Sequence, residues 1–417
     1  MKKISKKWRY LAWAFSLTFV ACANESIPQG QSMGAAVTVE KGRFIDAPVT
    51  GLSYKTATQS GVTDSDGYFK YIAGENVEFS LGKTILGSAK GAGIVTPEDF
   101  AADGLANQKV KNTLRLLQTL DSDGNNANGI VIKEEVRNLL AASVIDLSKA
   151  TAAFEADTLV QAVVLLARGT ATPLVSEVDA LSHYLSSRLS GSFKDTYNGQ
   201  HVLTATAWQL KDSWTDQTDS VVKIDGVLRY IILQKSASDA YNANKYQKVV
   251  YIPNNDGSLY TCTLSPFDSA TQAAAEAITD TTDKTDPATK GCSGFSWSKL
   301  TPVVNPVMGN WKDDWGNSFS IGAILWSSPW GDADTIVLYN AIDSYFIIQK
   351  PSNDAYNPSK YQKVILTKKA SDYFTCTLSP FNSTTQVTAM AIADTSDKTD
   401  PATGGCDGFS WSKLIPN

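Results

Sequence analysis

Residues 239–249 read DAYNANKYQKV, and residues 354–364 read DAYNPSKYQKV. The match runs outward from there. Between Cys262–Leu300 and Cys376–Leu414, 30 of 39 positions are identical, and GSFKD at 191 answers GNWKD at 309. A period of about 114 residues is too long for a solenoid unit, whose repeats run about 20–50 residues. Residues 191–304 and 305–417 are therefore expected to be two tandem globular domains. Their runs VLRYIILQK, DTIVLYN and SYFIIQK are rich in β-branched and aromatic residues, which suit a pleated surface. One stretch breaks the pattern: SATQAAAEAITDT, from Ser269, predicts a short helix between the two cysteines of the first copy.

The chain has five cysteines. Setting Cys22 aside leaves Cys262, Cys292, Cys376 and Cys406, two pairs each 30 positions apart. In an exported chain an even set reads as disulfides, most simply Cys262–Cys292 and Cys376–Cys406. A four-cysteine zinc site would ask for the close C-x2-C spacing that these positions lack.

The export reading comes from the first residues. Lys2, Lys3, Lys6, Lys7 and Arg9 form a positive segment, followed by an apolar run from Leu11 to Ala21. That run is shorter than the roughly 20 apolar residues of a membrane span and fits a signal peptide. It ends in Phe19-Val20-Ala21-Cys22, which resembles the lipobox of bacterial lipoproteins, with Phe19 where that family usually has Leu. The resemblance implies cleavage before Cys22, a diacylglycerol on its sulfur and attachment to a membrane through the lipid; each buried methylene is worth about 0.8 kcal/mol. An ordinary secretory signal with an incidental cysteine is the other reading. Residues 1–21 are thus read as signal peptide and 22–37, small and polar, as a flexible tether.

Residues 38–104 alternate like strands, and a small β-sandwich is expected there. GVTDSDGYFKY around Asp66-Gly67 predicts a hairpin, because Gly tolerates positive φ. Val77, Phe79 and Leu81 fall on one strand face. Across 105–190 the apolar period becomes helical: Val110, Leu114, Leu117 and Leu120; then Val136, Leu139 and Leu140; then Phe154, Leu159, Val163 and Leu166. Pro173 opens a fourth helix with Val178, Leu181 and Leu185 inward. A helical subdomain packed on the preceding sheet follows.

LDSDGNNANGIVI carries Asp121, Asp123, Asn125 and Asn128 at the alternating spacing of a calcium loop. Asn126 stands where the sharp-turn glycine belongs and Ile132 where the bidentate glutamate belongs. Two readings stay open: a structural calcium site, and a polar turn that ends one helix.

The segment from Val49 to Ile132, through GLSYKTATQSGVTDSDGYFKYIAGENVEFSLGKTILG and NTLRLLQTLDSDGNNANGI, resembles a module of bacterial lipoproteins and adhesin-like surface proteins. The resemblance implies a prealbumin-like β-sandwich with a helical extension and no catalytic residue. GNWKDDWG, YNPSKYQKV, FTCTLSPF, DKTDPATGGC and GFSWSKL resemble the repeats of spirochaete outer-membrane lipoproteins, especially leptospiral ones. The expected fold class is mainly β with a helical subdomain: sandwich plus helices, then two tandem disulfide-stapled β domains. The expected location is the cell envelope, lipid-anchored in the outer membrane and exposed at the surface.

Net charge is −5 and no basic domain appears, which argues against nucleic acid as a partner. Only two histidines occur, His183 and His201, with no nucleophile motif, metal-binding His pair or phosphate loop beside them. No catalytic residue is assigned. Trp208, Trp297, Trp326 and Trp411 recur at matching positions and are read as core, as are Tyr241, Tyr246, Tyr356 and Tyr361. Trp315 and Trp330 stand in turn-rich stretches and are the candidate ligand-binding aromatics. The expected function is non-catalytic binding or adhesion to a host or matrix protein. Glycan binding on aromatic platforms and a structural envelope role without a dedicated ligand are the alternatives.

Overall fold

A computed structural model describes residues 38–126, 129–328, 331–351 and 354–417; Cys22, Asn128 and Trp330 lie outside them. Residues Thr38–Asn417 form one compact unit. Its first part contains β1 (Val39–Phe44), β2 (Val49–Thr50), β3 (Ser53–Lys55), β4 (Ser60–Val62) and β5 (Tyr68–Ile72). β6 (Asn76–Leu81), β7 (Thr84–Lys90), β8 (Ile94–Val95) and β9 (Ile130–Val131) follow. The strand orders are β5-β1-β8 and β4-β3-β6-β7, with β2 and β9 as a separate parallel pair. Apolar side chains from the two larger sheets meet: Phe44 of β1 lies 4.6 Å from Phe79 of β6, and Phe69 of β5 meets Phe79 edge-on at 5.1 Å. Val77, Phe79 and Leu81 all point into this core.

The Asp66-Gly67 segment is not a hairpin. β4 pairs with β3 and β5 pairs with β1, so the turn carries the chain from one sheet to the other. Its turn chemistry is as expected: the Asp64 carboxylate accepts from Tyr68 N–H at 2.9 Å, and Gly67 has φ 76. What redirects the chain is Thr63, whose hydroxyl donates to the Val49 carbonyl at 2.6 Å while accepting from Leu52 N–H. Alternation reports which face is buried, not which strand is the neighbour.

The helices are α1 (Gln108–Thr119), α2 (Glu134–Leu140), α3 (Thr151–Glu155), α4 (Thr158–Arg168) and α5 (Glu177–Leu189). The expected third helix is two, because Asp157 caps α4 by accepting from Leu159 and Val160 N–H. The cap resets the phase: Val160, Val163, Val164 and Ala167 face inward, and Leu166 is exposed. Likewise Ser176, not Pro173, caps α5. Its buried face is Ala180, Tyr184, Leu185 and Leu189, and Val178 is exposed. Leu117, Leu120, Val136, Leu140 and Val163 share one hydrophobic core with Phe44, Phe69 and Phe79, so strands and helices here are a single packed body.

Each repeat closes into an eight-stranded barrel. The first uses β10 (Gly191–Lys194), β11 (Gln200–Leu203), β12 (Ala207–Lys211), β13 (Asp216–Asp225), β14 (Tyr230–Gln234), β15 (Tyr246–Pro253) and β16 (Leu259–Thr263). After α6 (Gln272–Glu276) and the small hairpin β17 (Gly291–Cys292) and β18 (Phe295–Ser296), β19 (Ser298–Pro302) closes the barrel between β16 and β10. The second begins with β20 (Gly309–Lys312), β21 (Ser318–Ile321), β22 (Leu325–Ser328), β23 (Gly331–Asn340) and β24 (Tyr345–Gln349). It continues through β25 (Tyr361–Lys369), β26 (Asp372–Ser383), α7 (Gln386–Met390), β27 (Gly405–Cys406), β28 (Phe409–Ser410) and the closing strand β29 (Ser412–Pro416).

The unbroken apolar runs of the repeats follow from two cores per barrel. In β14, Ile231 and Leu233 fill the barrel, while Tyr230 and Ile232 face outward under the disulfide loop with Cys262, Ala275, Cys292 and Trp297. A buried lysine fastens that loop: Lys248 donates to the carbonyls of Glu276 and Ile278 at 2.9 and 2.7 Å, 4.5 Å above the Tyr230 ring. The second barrel repeats this with Lys363, the carbonyls of Met390 and Ile392, and Tyr345. The disulfides are Cys262–Cys292 and Cys376–Cys406. Closing loops of 30 residues, each is worth about 3–4 kcal/mol in the chain-entropy account.

Candidate functional site: the aromatic turns of the two barrels

Successive hairpins of an up-and-down barrel alternate between its two ends. In the first barrel the β11–β12, β13–β14 and β15–β16 turns share the end where α5 delivers the chain. This inner end packs on the N-terminal body. Arg188 of α5 donates to the Asn254 carbonyl at 2.6 Å, Ile94 N–H donates to the Asn255 carbonyl at 2.7 Å, and Arg229 pairs with Glu98. The β10–β11, β12–β13 and β14–β15 turns therefore share the opposite, outer end.

The outer turns carry aromatic side chains in water. Tyr197 is 88% exposed, Trp214 94% and Tyr241 94%. In the second barrel Trp315 (80%) takes the place of Tyr197, and Tyr356 (90%) that of Tyr241. All five sit two residues after an aspartate whose Oδ1 accepts the aromatic residue's own backbone N–H. The pairs are Asp195–Tyr197 at 2.8 Å, Asp212–Trp214 at 2.7 Å, Asp239–Tyr241 at 2.9 Å, Asp313–Trp315 at 3.0 Å and Asp354–Tyr356 at 2.9 Å. Such Asx-turns lock the backbone that bears the ring. Burial alone would raise the Asp239 carboxyl, but the N–H groups of Asn242 and Tyr241 outweigh it and hold it at about 2. Asp354 is held low by the N–H groups of Asn357 and Tyr356.

Trp315 thus stands where a surface aromatic was expected. Tyr241 and Tyr356, expected in the core, are among the most exposed rings, while Tyr246 and Tyr361 are half-buried. Strand alternation does not run through a turn, and the Asp-x-aromatic spacing is the signal that marks these positions. Trp208, Trp297 and Trp411 are buried; Trp326 is half-buried and stacks on Phe319 at 6.3 Å.

His201 supports one of these turns. Its Nε2 lies 3.1 Å from Asp195 Oδ2, and its Nδ1 accepts from the Trp208 indole at 3.1 Å. Burial lowers its pKa against the pull of Asp195. Both ring nitrogens are engaged inside the barrel wall. His183 lies on α5 beside a cavity of about 480 Å³ between the N-terminal body and the two barrels, and burial pushes it down to about 4.

In the 121–126 loop, Asp121 Oδ1 accepts from Val131 N–H at 2.9 Å, and Asp123 Oδ1 accepts from Asn125 N–H at 2.8 Å. Burial, reinforced by the neighbouring Asp123, pushes the Asp121 carboxyl up to about 7. Arg168 supplies positive charge here, donating to the Asp121 carbonyl at 2.9 Å and lying against Gly124. Among the described residues no three His, Cys, Asp or Glu side chains converge as a metal cage would require. The described part of the loop fits a polar turn whose carboxylates serve its own backbone.

No protein-family model matches the chain, and neither a curated protein nor a solved structure does.

Proposed function

We propose that the protein is a lipid-anchored, non-catalytic binding protein of the bacterial cell envelope, whose contact surface is the aromatic-tipped outer turns of its two barrels. One observation carries this reading: Tyr197, Trp214, Tyr241, Trp315 and Tyr356 are held in water by aspartate-locked turns. Tyr and Trp supply large contact area at low entropic cost, more so when the backbone is already ordered. A fold that needed these rings only for stability would bury them.

The Phe19–Cys22 resemblance supports lipidation at Cys22 and a place in the outer membrane, as in spirochaete surface lipoproteins. The prealbumin-like reading of the first module fits a spacer that carries the barrels away from the membrane. The preferred partner is a host or matrix protein. Glycan binding is the second reading, favoured by Trp214 and Trp315, whose indole faces are open to stack on sugar rings.

The test is binding of the full chain to immobilised extracellular-matrix proteins and to a glycan array. Tyr197→Ser, Tyr241→Ser, Trp315→Ser and Tyr356→Ser together should weaken the dominant signal at least about tenfold, as loss of interface anchors does, with the melting temperature unchanged. Undiminished binding by that variant would remove the outer turns as the contact surface. Separately, Cys22→Ala should move the protein from the detergent phase to the aqueous phase.

A further inference from the structure

The N-terminal body and the two barrels enclose a cavity of about 480 Å³ where they meet. All three contribute to its wall. Ile45 and Ala47 come from the segment between β1 and β2, Phe193 from barrel 1, and Ile336 and Leu338 from barrel 2, and all five are buried. The segment that joins the barrels runs along one side. Its Val304 and Met308 are 69% and 42% exposed, which puts the mouth of the cavity there. A concave, largely apolar space of this size with a few polar groups is the usual form of a small-molecule site.

Charge is unevenly placed around it. The chain is acidic overall, at −5, yet the described residues that line this cavity include Arg43 and Arg188 and no aspartate or glutamate. Each arginine is held by an uncharged acceptor: Arg188 donates to the Asn254 carbonyl at 2.6 Å, and Arg43 Nε to the Asp66 carbonyl at 3.0 Å. Two buried polar atoms of the lining, Arg43 Nη2 and His183 Nε2, have no hydrogen-bond partner among the described residues. Buried polar atoms are nearly always partnered, so two at one cavity mark where a polar group belongs. Burial lowers the basicity of Arg43 against the pull of Tyr68, Asp66 and Asp64, a cost that an anion at the free N–H would offset. His183 is neutral above about pH 4, so its Nε2 is an acceptor and suits a hydroxyl or a water carried by the head group.

We propose that this cavity binds a small anionic amphiphile, an aliphatic carboxylate whose head meets Arg43 and whose chain covers the apolar wall formed by Phe193, Ile336 and Leu338. The cation sets the sign of the head, and the wall asks for a body without polar groups. The cavity faces the N-terminal body, away from the outer turns of barrel 1, so this site stands whether or not those turns are the contact surface.

The probes are hexanoate, octanoate and decanoate, titrated against the full chain by calorimetry. Binding should saturate and tighten about fourfold per added methylene, the yield of burying one CH2 group. Arg43→Gln should weaken decanoate about tenfold, the scale of a hydrogen bond to a charged group, and leave decanol, which has the same chain and no charge, unchanged. A decanoate with a diazirine at its chain end should label 303–308 or 336–339 in the wild-type chain, a result that does not depend on the folding of any variant. Lack of saturable binding, affinity that ignores chain length, equal loss of decanoate and decanol, or labelling confined to the outer turns would each overturn the proposal.

Discussion

The two barrels share one fold and differ in what surrounds them. Their disulfide loops, identical at 30 of 39 positions, solve a problem internal to each copy: covering the outward apolar side chains of β14–β16 and of β24–β26. The ends have diverged. Barrel 1 meets the C-terminal turn of α5 at its inner end, where Arg229, Tyr251 and Pro253 lie, while barrel 2 has Ser344, Leu366 and Lys368 at the matching positions. The walls differ as well. His201, tied to Asp195 and Trp208 in the first barrel, is replaced in the second by Phe319 stacked on Trp326. Positions packed against the repeat's own loop stay fixed, and positions that meet something else change.

That contrast can be broken at several points. The largest effect is expected where the copies are most alike. Trp297→Ala and Trp411→Ala should each cost about 3–5 kcal/mol, because both indoles are buried under equivalent loops. Urea unfolding of the two variants, followed by hydrogen exchange in β14–β16 and β24–β26, should give matching losses. A difference of more than about 2 kcal/mol would mean that the loops do not do the same work.

Where the copies differ, so should the response. Leu189→Ala removes the residue that joins α5 to the first barrel's core and should cost about 2–4 kcal/mol. Val307→Ala removes fewer methyl groups and touches no helix, so about 1–2 kcal/mol is expected. The Leu189 variant should also speed exchange in α5, whereas the Val307 variant should leave α5 unchanged. Equal effects on α5 would mean that Leu189 is not what ties this helix to the barrel.

The smallest effects concern pH, and here the N-terminal body and the barrels should move in opposite directions. The folded Asp121 carboxyl keeps its proton to about pH 7, while the unfolded one loses it near 3.8. This site therefore favours folding most at low pH, and the advantage fades as pH rises from about 4 to 7. Asp121→Asn should flatten that slope. Asp239 is the reverse: held at about 2, it stabilises its turn above pH 3.8 and loses that effect as pH falls toward 2. Exchange of the Tyr241 amide should quicken below about pH 3 in the wild type and be fast at every pH in Asp239→Ala. Parallel pH responses at the two sites would contradict both assignments.

Much of this architecture is legible in the residues. The repeat, the disulfide pairs, the short helix in the loop and the apolar faces of β6 and α1 follow from spacing alone. The failures are of one kind. Asp66-Gly67 was readable as a turn but not as a crossover, since Thr63 sends the chain to another sheet through contacts with Val49 and Leu52. Leu166 and Val178 fit a helical period yet face solvent, because Asp157 and Ser176 set where each helix starts. Tyr241 and Tyr356 read as core because they recur at matching positions in the two copies, which a repeated exposed turn does as well as a repeated core.

Local chemistry, acting over a few residues, is written directly in the chain: five aspartates each stand two positions before an aromatic and close an Asx-turn on it, and two cysteines 30 apart in matched copies pair within each copy. Partner choice among distant segments is not local. Which end of a barrel meets water depends on what else is folded against it, since burial is a property of the assembled surface. Hence the five aromatic turns are encoded in the sequence, but only tertiary packing decided that they stand free while the opposite end of the first barrel is covered by the N-terminal body.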